Sequence, residues 1–160
     1  MKSLLKSLPL ALGLALSVVT SAPAAGAAPA YVDALLAPYL ELQTALAADD
    51  LPGAQGAARA LLTAAQTDDA GNALKPSVEA IINAEKLPTA RVNFLRTSNT
   101  LIALVRETDG AGQRHLYVAH CPMAFGGRGG DWLQKDEHIA NPYYGSAMLT
   151  CGTTKPLSSP

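Results

Sequence analysis

Apart from the initiator methionine, every sulfur atom of the chain lies in two short stretches near the C-terminus. These are "HCPMAF" (His120 to Phe125) and "NPYYGSAMLTCG" (Asn141 to Gly152), which hold both cysteines and two of the three methionines. Thiolate and thioether donors are soft and select Cu(I), and Ag(I) by the same softness, over hard cations. Zinc takes thiolate and imidazole and has little use for thioether. In an extended chain alternate residues share a face, so Cys121 and Met123 point to one side and His120 to the other. Met148 and Cys151, three apart, share a face on a helical turn but not on a strand. The candidate metal set is therefore Cys121, Met123, Met148 and Cys151, with His120 as an optional ligand.

A second chemistry fits the same residues. Two cysteines in an oxidising compartment often pair, and joining Cys121 to Cys151 would close a loop of about thirty residues, worth roughly 3.6 kcal/mol in chain entropy. Met123 and Met148 would then be gap-filling core residues. A nucleophile–base pair of Cys121 and His120 is disfavoured, because sequence neighbours rarely meet in the required geometry. "GGRGG" (Gly126 to Gly130) is not followed by Lys-Ser or Lys-Thr, so it is expected to be a flexible loop rather than a phosphate cradle. His115 and His138 are expected at the surface. Trp132 and Leu133 are expected to anchor a small loop-rich lobe, with Tyr143 and Tyr144 packed over it after the Asn141-Pro142 turn.

The N-terminus explains why an oxidising compartment is relevant. Lys2 and Lys6, the apolar run Leu8 to Val19 and the small residues Ala25-Gly26-Ala27 form the pattern of a secretory signal peptide over residues 1–27. The apolar run is too short for a membrane span, and no lipid-anchoring cysteine sits at the cleavage region. The expected location is the periplasm, or outside the cell, after cleavage near Ala27. Removing Lys2 and Lys6 leaves ten basic residues against 13 acidic ones, so the mature chain carries a formal charge of −3. This mild acidity gives no reason to expect a nucleic acid or an anionic membrane as partner.

Residues 28–153 suit one domain, with 154–160 as a frayed tail. Tyr31, Leu35, Tyr39, Leu42 and Leu46 fall on one helical face, and Pro38 predicts a kink or a later start. Asp49 or Asp50 caps a second helix with Pro52 in its first turn, followed by a loop over Thr67 to Asn72. A third helix is predicted from about Pro76 to Lys86, ended by Pro88. A fourth is capped by Thr89, with Val92, Leu95, Ile102 and Val105 inward. "RHLYVAH" (Arg114 to His120) reads as a strand. The predicted fold is mainly α: an antiparallel bundle of about four helices over about 31–107, followed by a small loop/β lobe over about 114–153.

The string "YVAHCPMAF…GGDWLQKDEHIANPYYGSAMLTCG" resembles the signature of a bacterial envelope family, domain of unknown function number 3347. Cys-Pro-Met, a Trp-Leu pair and Asn-Pro-Tyr-x-Gly-x-x-Met-x-x-Cys-Gly match at Cys121, Pro122, Met123, Trp132, Leu133, Asn141, Pro142, Tyr143, Gly145, Met148, Cys151 and Gly152. The Ala/Leu-rich helices upstream also resemble the family's helical part. That family occurs as stand-alone exported proteins and fused to CusB-like adaptor subunits of heavy-metal efflux systems. The resemblance implies copper(I) or silver(I) handling in the envelope by binding rather than catalysis, with an efflux adaptor or pump as partner. No acid/base pair, phosphate loop or triad motif suggests an enzyme.

Overall fold

The computed structural model describes residues 27–108 and 115–157; residues 1–26 of the proposed signal peptide, Arg114 and residues 158–160 of the predicted tail lie outside them. The five residues at helical spacing all turn inward along α1 (Pro29–Ala47). This helix runs unbroken through Pro38, whose missing N–H would have bonded the carbonyl of Ala34. Ala34 is on the exposed side of the helix, where water can take that bond, so the expected break does not form. Asp50 caps α2 (Leu51–Ala65), its Oδ1 accepting from Gly53 N at 2.9 Å. The buried side of α2 is Ala54, Ala57, Ala58, Leu61 and Ala65, whose four alanines admit close packing against α1 and α3.

The predicted loop contains a 3₁₀ turn at Asp69–Ala73. Next come α3 (Lys75–Ile82), shorter than predicted, and α4 (Leu87–Glu107). Pro88 opens α4 instead of closing α3, as Pro52 and Pro76 open their helices; a helix start has no use for the missing N–H. Thr89 is thus inside the first turn, and Lys86 holds the cap position without a side-chain bond. The inward stripe of α4 also differs from prediction. Ile102 and Val105 are buried, but Val92 is 42% exposed, and Asn93, Thr97 and Ser98 face the core with Phe94 and Leu101. Each inward polar group has a partner. Ser77 Oγ and Thr97 Oγ1 are 2.8 Å apart, Ser98 Oγ is 2.8 Å from Tyr39 Oη, and Asn93 Nδ2 donates to Thr89 O at 2.9 Å.

The lobe is a three-stranded antiparallel sheet in the order β2-β1-β3: β1 (Tyr117–Cys121), β2 (Gly130–Gln134) and β3 (Thr153–Pro156). β2 packs on α4 and α1. The mainly helical fold with a small C-terminal sheet agrees with the sequence reading. The described part of the predicted tail is not frayed: Thr153–Pro156 pairs with β1, Leu157 N donates to Leu116 O at 2.7 Å, and Leu157 is buried. As an edge strand β3 tolerates Pro156 at its end.

Candidate functional site

Along β1, Ala119 and Cys121 point into the core and are fully buried, while His120 points out, as the two-residue period of a strand requires. His120 Nδ1 is 2.6 Å from Oδ1 of Asp131, its cross-strand partner on β2. The ring therefore stands on the opposite face from the Cys121 thiol. After Cys121 the chain turns through Ala124–Gly127 and returns as β2. Phe125, Gly126, Gly127 and Gly129 all have positive φ there. Gly127 N donates to Met123 O and Gly129 N to Ala124 O, so the segment expected to be a flexible loop is a hydrogen-bonded turn. The Met123 side chain is 54% exposed.

Cys151 arrives from a loop organised by Asn141, which is fully buried. The Asn141 side-chain oxygen accepts from Tyr143 N at 2.8 Å and Tyr144 N at 3.3 Å. Its amide donates to Cys151 O at 2.9 Å, and its backbone N–H donates to Leu149 O at 2.8 Å. One side chain thus closes the loop onto the residue that carries the second thiol. Within it a 3₁₀ turn, Gly145–Ala147, ends at Met148, and Cys151 N donates to Met148 O at 3.2 Å. Met148 and Cys151 are therefore joined by turns that are neither the helix nor the strand weighed from sequence. Met148 is half-buried.

The helices hold this loop from behind. Arg91 on α4 donates from Nε to Pro142 O at 2.9 Å and from Nη2 to Leu46 O at 3.0 Å, and Nη2 also lies 2.5 Å from Asp49 Oδ1. Asp49 Oδ2 accepts from Ser146 N at 2.9 Å. Hydrogen bonds from Ser146 first, and from Arg91 after them, lower the Asp49 carboxyl to about 2. Gly145 has φ +59, and a Cβ there would fall 2.1 Å from Asp49 Oδ1, so only glycine fits between loop and clamp. Tyr143 is buried between Trp132 (edge-on, 5.5 Å), Phe94 (5.9 Å) and Phe125 (5.0 Å), and donates its hydroxyl to Asp131 O. Burial raises the Tyr143 phenol well above its ordinary value. Trp132 Nε1 donates to Gln134 Oε1 at 3.0 Å.

These constraints bring Cys121 Sγ and Cys151 Sγ to 3.2 Å, both as free thiols. The hydrogen bond with Cys121, and burial after it, raise the Cys151 thiol above its usual range. Thiolate chemistry at this residue therefore has to displace a proton. A disulfide needs the two sulfurs about 1 Å closer. A metal with bonds near 2.3 Å would hold them roughly 3.8–4.6 Å apart, so the Cys151 turn would move outward to admit one. Among the described residues no three His, Cys, Asp or Glu side chains converge as a metal-holding group. The structure thus brings the two thiols together in a lobe where Asn141 bonds the Cys151 carbonyl, Trp132 and Tyr143 pack edge-on, and Pro142 and Gly145 meet the Arg91–Asp49 clamp. Met123 and Met148 sit on adjacent turns, and His120 is on the far face. Sequence reasoning missed Arg91 and Ser98, took Tyr39 only as part of the α1 stripe and Asp49 only as a cap candidate; no local pattern marks residues that act across the fold.

Fold and site together define a small helical domain that presents a vicinal thiol pair on a pinned lobe. Residues 35–112 match the family described as "Protein of unknown function (DUF3347)". The match falls on the helices, upstream of the sulfur-bearing string on which the resemblance was noted. No curated protein and no solved structure matches the chain. No helix among the described residues is long and apolar enough to cross a membrane.

Proposed function

We propose that this chain is an exported, non-enzymatic protein that binds a soft monovalent metal, Cu(I) or Ag(I), for buffering, resistance or delivery to an efflux adaptor or pump. The observation that carries the reading is the 3.2 Å approach of Cys121 Sγ and Cys151 Sγ from two separately anchored segments. The donor set fits such a cargo: two thiolates for the metal, with the thioethers of Met123 and Met148 two and three residues away. His120 is the lesser candidate ligand, because its ring stands on the other face beside Asp131. Binding through Cys151 releases a proton, so affinity rises with pH up to the thiol's raised pKa. Titrating reduced protein with Cu(I) against a chromophoric competitor tests the reading. Withdrawal of the metal by the unaltered chain and its loss in Cys121→Ser are expected. Failure against even a weak competitor, with Cys121→Ser behaving identically, ends it.

The same sulfur distance supports a second reading, in which Cys121 and Cys151 form a disulfide that staples a metal-free interaction module. Mass spectrometry without reductant, on protein taken from its native compartment, would then find the chain lighter by two hydrogens. Free thiols in folded, metal-free protein would count against it. The two forms together make a redox switch, in which the oxidised chain cannot take metal.

A further inference from the structure

We infer that the cleft between α4 and the glycine-rich turn, on the outer side of the lobe, binds a small carboxylate carried on an apolar, ring-sized body. The cleft has a volume of about 420 Å³, within the range of small-molecule pockets. Val92, Leu95 and Phe125 give it apolar walls, and Val92 is one of the few large apolar side chains left exposed. Its cations are Arg96 from α4 and Arg128 from the turn. Arg96 Nη1 donates to Asn93 Oδ1 at 3.1 Å and Arg128 Nε to Phe125 O at 3.1 Å. Neither guanidinium has a carboxylate partner among the described residues. The one carboxylate lining the cleft, Asp131, is hydrogen-bonded through Oδ1 to His120 Nδ1. Two arginines with donors to spare therefore line a partly apolar cleft that holds one carboxylate, which leaves an excess of positive charge. Arginine forks suit the bidentate geometry of a carboxylate.

The backbone supplies an independent observation. Phe125 has φ 54 and ψ 43, a conformation in which a bulky non-glycine residue is an outlier. It is held there by the Arg128 bond to its carbonyl and by its edge contact with Tyr143 at 5.0 Å. Strained residues of this kind cluster at ligand sites, and this one lines the cleft. Gly129 serves the same wall: a Cβ there would stand 2.8 Å from His120 Cε1, so glycine lets the imidazole form part of the lining.

The test is an amide-shift NMR titration of the reduced chain with phenylacetate, phenylacetamide and inorganic phosphate. Phenylacetate is expected to shift resonances over residues 92–99 and 125–131. Arg96→Gln and Arg128→Gln should each weaken it about tenfold, the loss of one charge-assisted contact. Phenylacetamide lacks the charge and phosphate the apolar body, so both should bind at least about tenfold more weakly. Equal binding of the amide or of phosphate, shifts confined to other surfaces, or undiminished binding by the double variant would each overturn the assignment. The comparison of the three probes on the unaltered chain stands even if a variant fails to fold.

Discussion

The helical bundle and the C-terminal lobe are built by different rules. The bundle rests mostly on interchangeable apolar side chains: Val32, Leu35, Leu42, Leu46, Leu61, Leu74, Ile81 and Leu101 are all fully buried, and these positions would accept other residues of similar volume, with a few polar pairs such as Ser77–Thr97 among them. The lobe is specified contact by contact. Asn141 makes four hydrogen bonds through two side-chain atoms and its N–H, and Gly145 fits a gap no other residue can enter. The bundle supplies bulk, and the lobe fixes where two sulfur atoms go.

That contrast can be broken or sharpened by experiment. The largest effect is expected from Asn141→Ala, which strands the Tyr143 and Tyr144 N–H groups and the Cys151 carbonyl, for a loss of about 3 kcal/mol. Chemical denaturation should record it together with faster alkylation of Cys151 than of Cys121. Arg91→Met keeps the apolar stem of the side chain but removes its bonds to Pro142, Leu46 and Asp49. A loss of about 2 kcal/mol is expected, held down because Asp49 is 31% exposed and screened by solvent. Leu42→Met inside the bundle should cost under about 1.5 kcal/mol and leave the thiol reactivities unchanged. A larger loss than from Asn141→Ala would erase the distinction between the two regions.

A further effect is one of pH. The Asp49 carboxyl is lowered to about 2 by Ser146 and Arg91, against about 3.9 for an unfolded aspartate. Its stabilising contribution is complete above the unfolded value and disappears as pH falls from about 4 through about 2. Asp49→Asn should flatten the acid-unfolding curve in that window. An unchanged slope would mean that the clamp does not stabilise the fold.

Legibility in the sequence followed the same division. The α1 stripe was readable because its apolar residues keep a helical period, with Gln43 the one polar side chain buried among them. The α4 stripe was not. Asn93, Thr97 and Ser98 lie inward because partners on α3 and α1 or within α4 itself satisfy them, and no single segment discloses such partners. β2 and β3 are five and four residues long and owe their existence to pairing with β1, which local alternation cannot reveal. The strand period placed Cys121 and His120 on opposite faces correctly, but the strand ends at Cys121, so Met123 is exposed instead of sharing the buried face with it. The approach of Cys151 depends on Asn141 and the Arg91–Asp49 clamp, whose residues come from three parts of the chain.

The hydroxyl of Tyr39 has a consequence for the order of assembly. It meets Ser98 on α4 and accepts from Leu133 N on β2, a contact spanning 94 residues; Gln43 to Ala140 and Ser146 to Asp49 each span 97. Such distant closures form only after the intervening chain has been organised. The lobe is therefore expected to dock onto a bundle already in place and to detach before the bundle melts. Amide exchange should find β2 opening at lower free energy than α1 and α4. The paired thiols would be exposed in that opened form, while the helices are still folded.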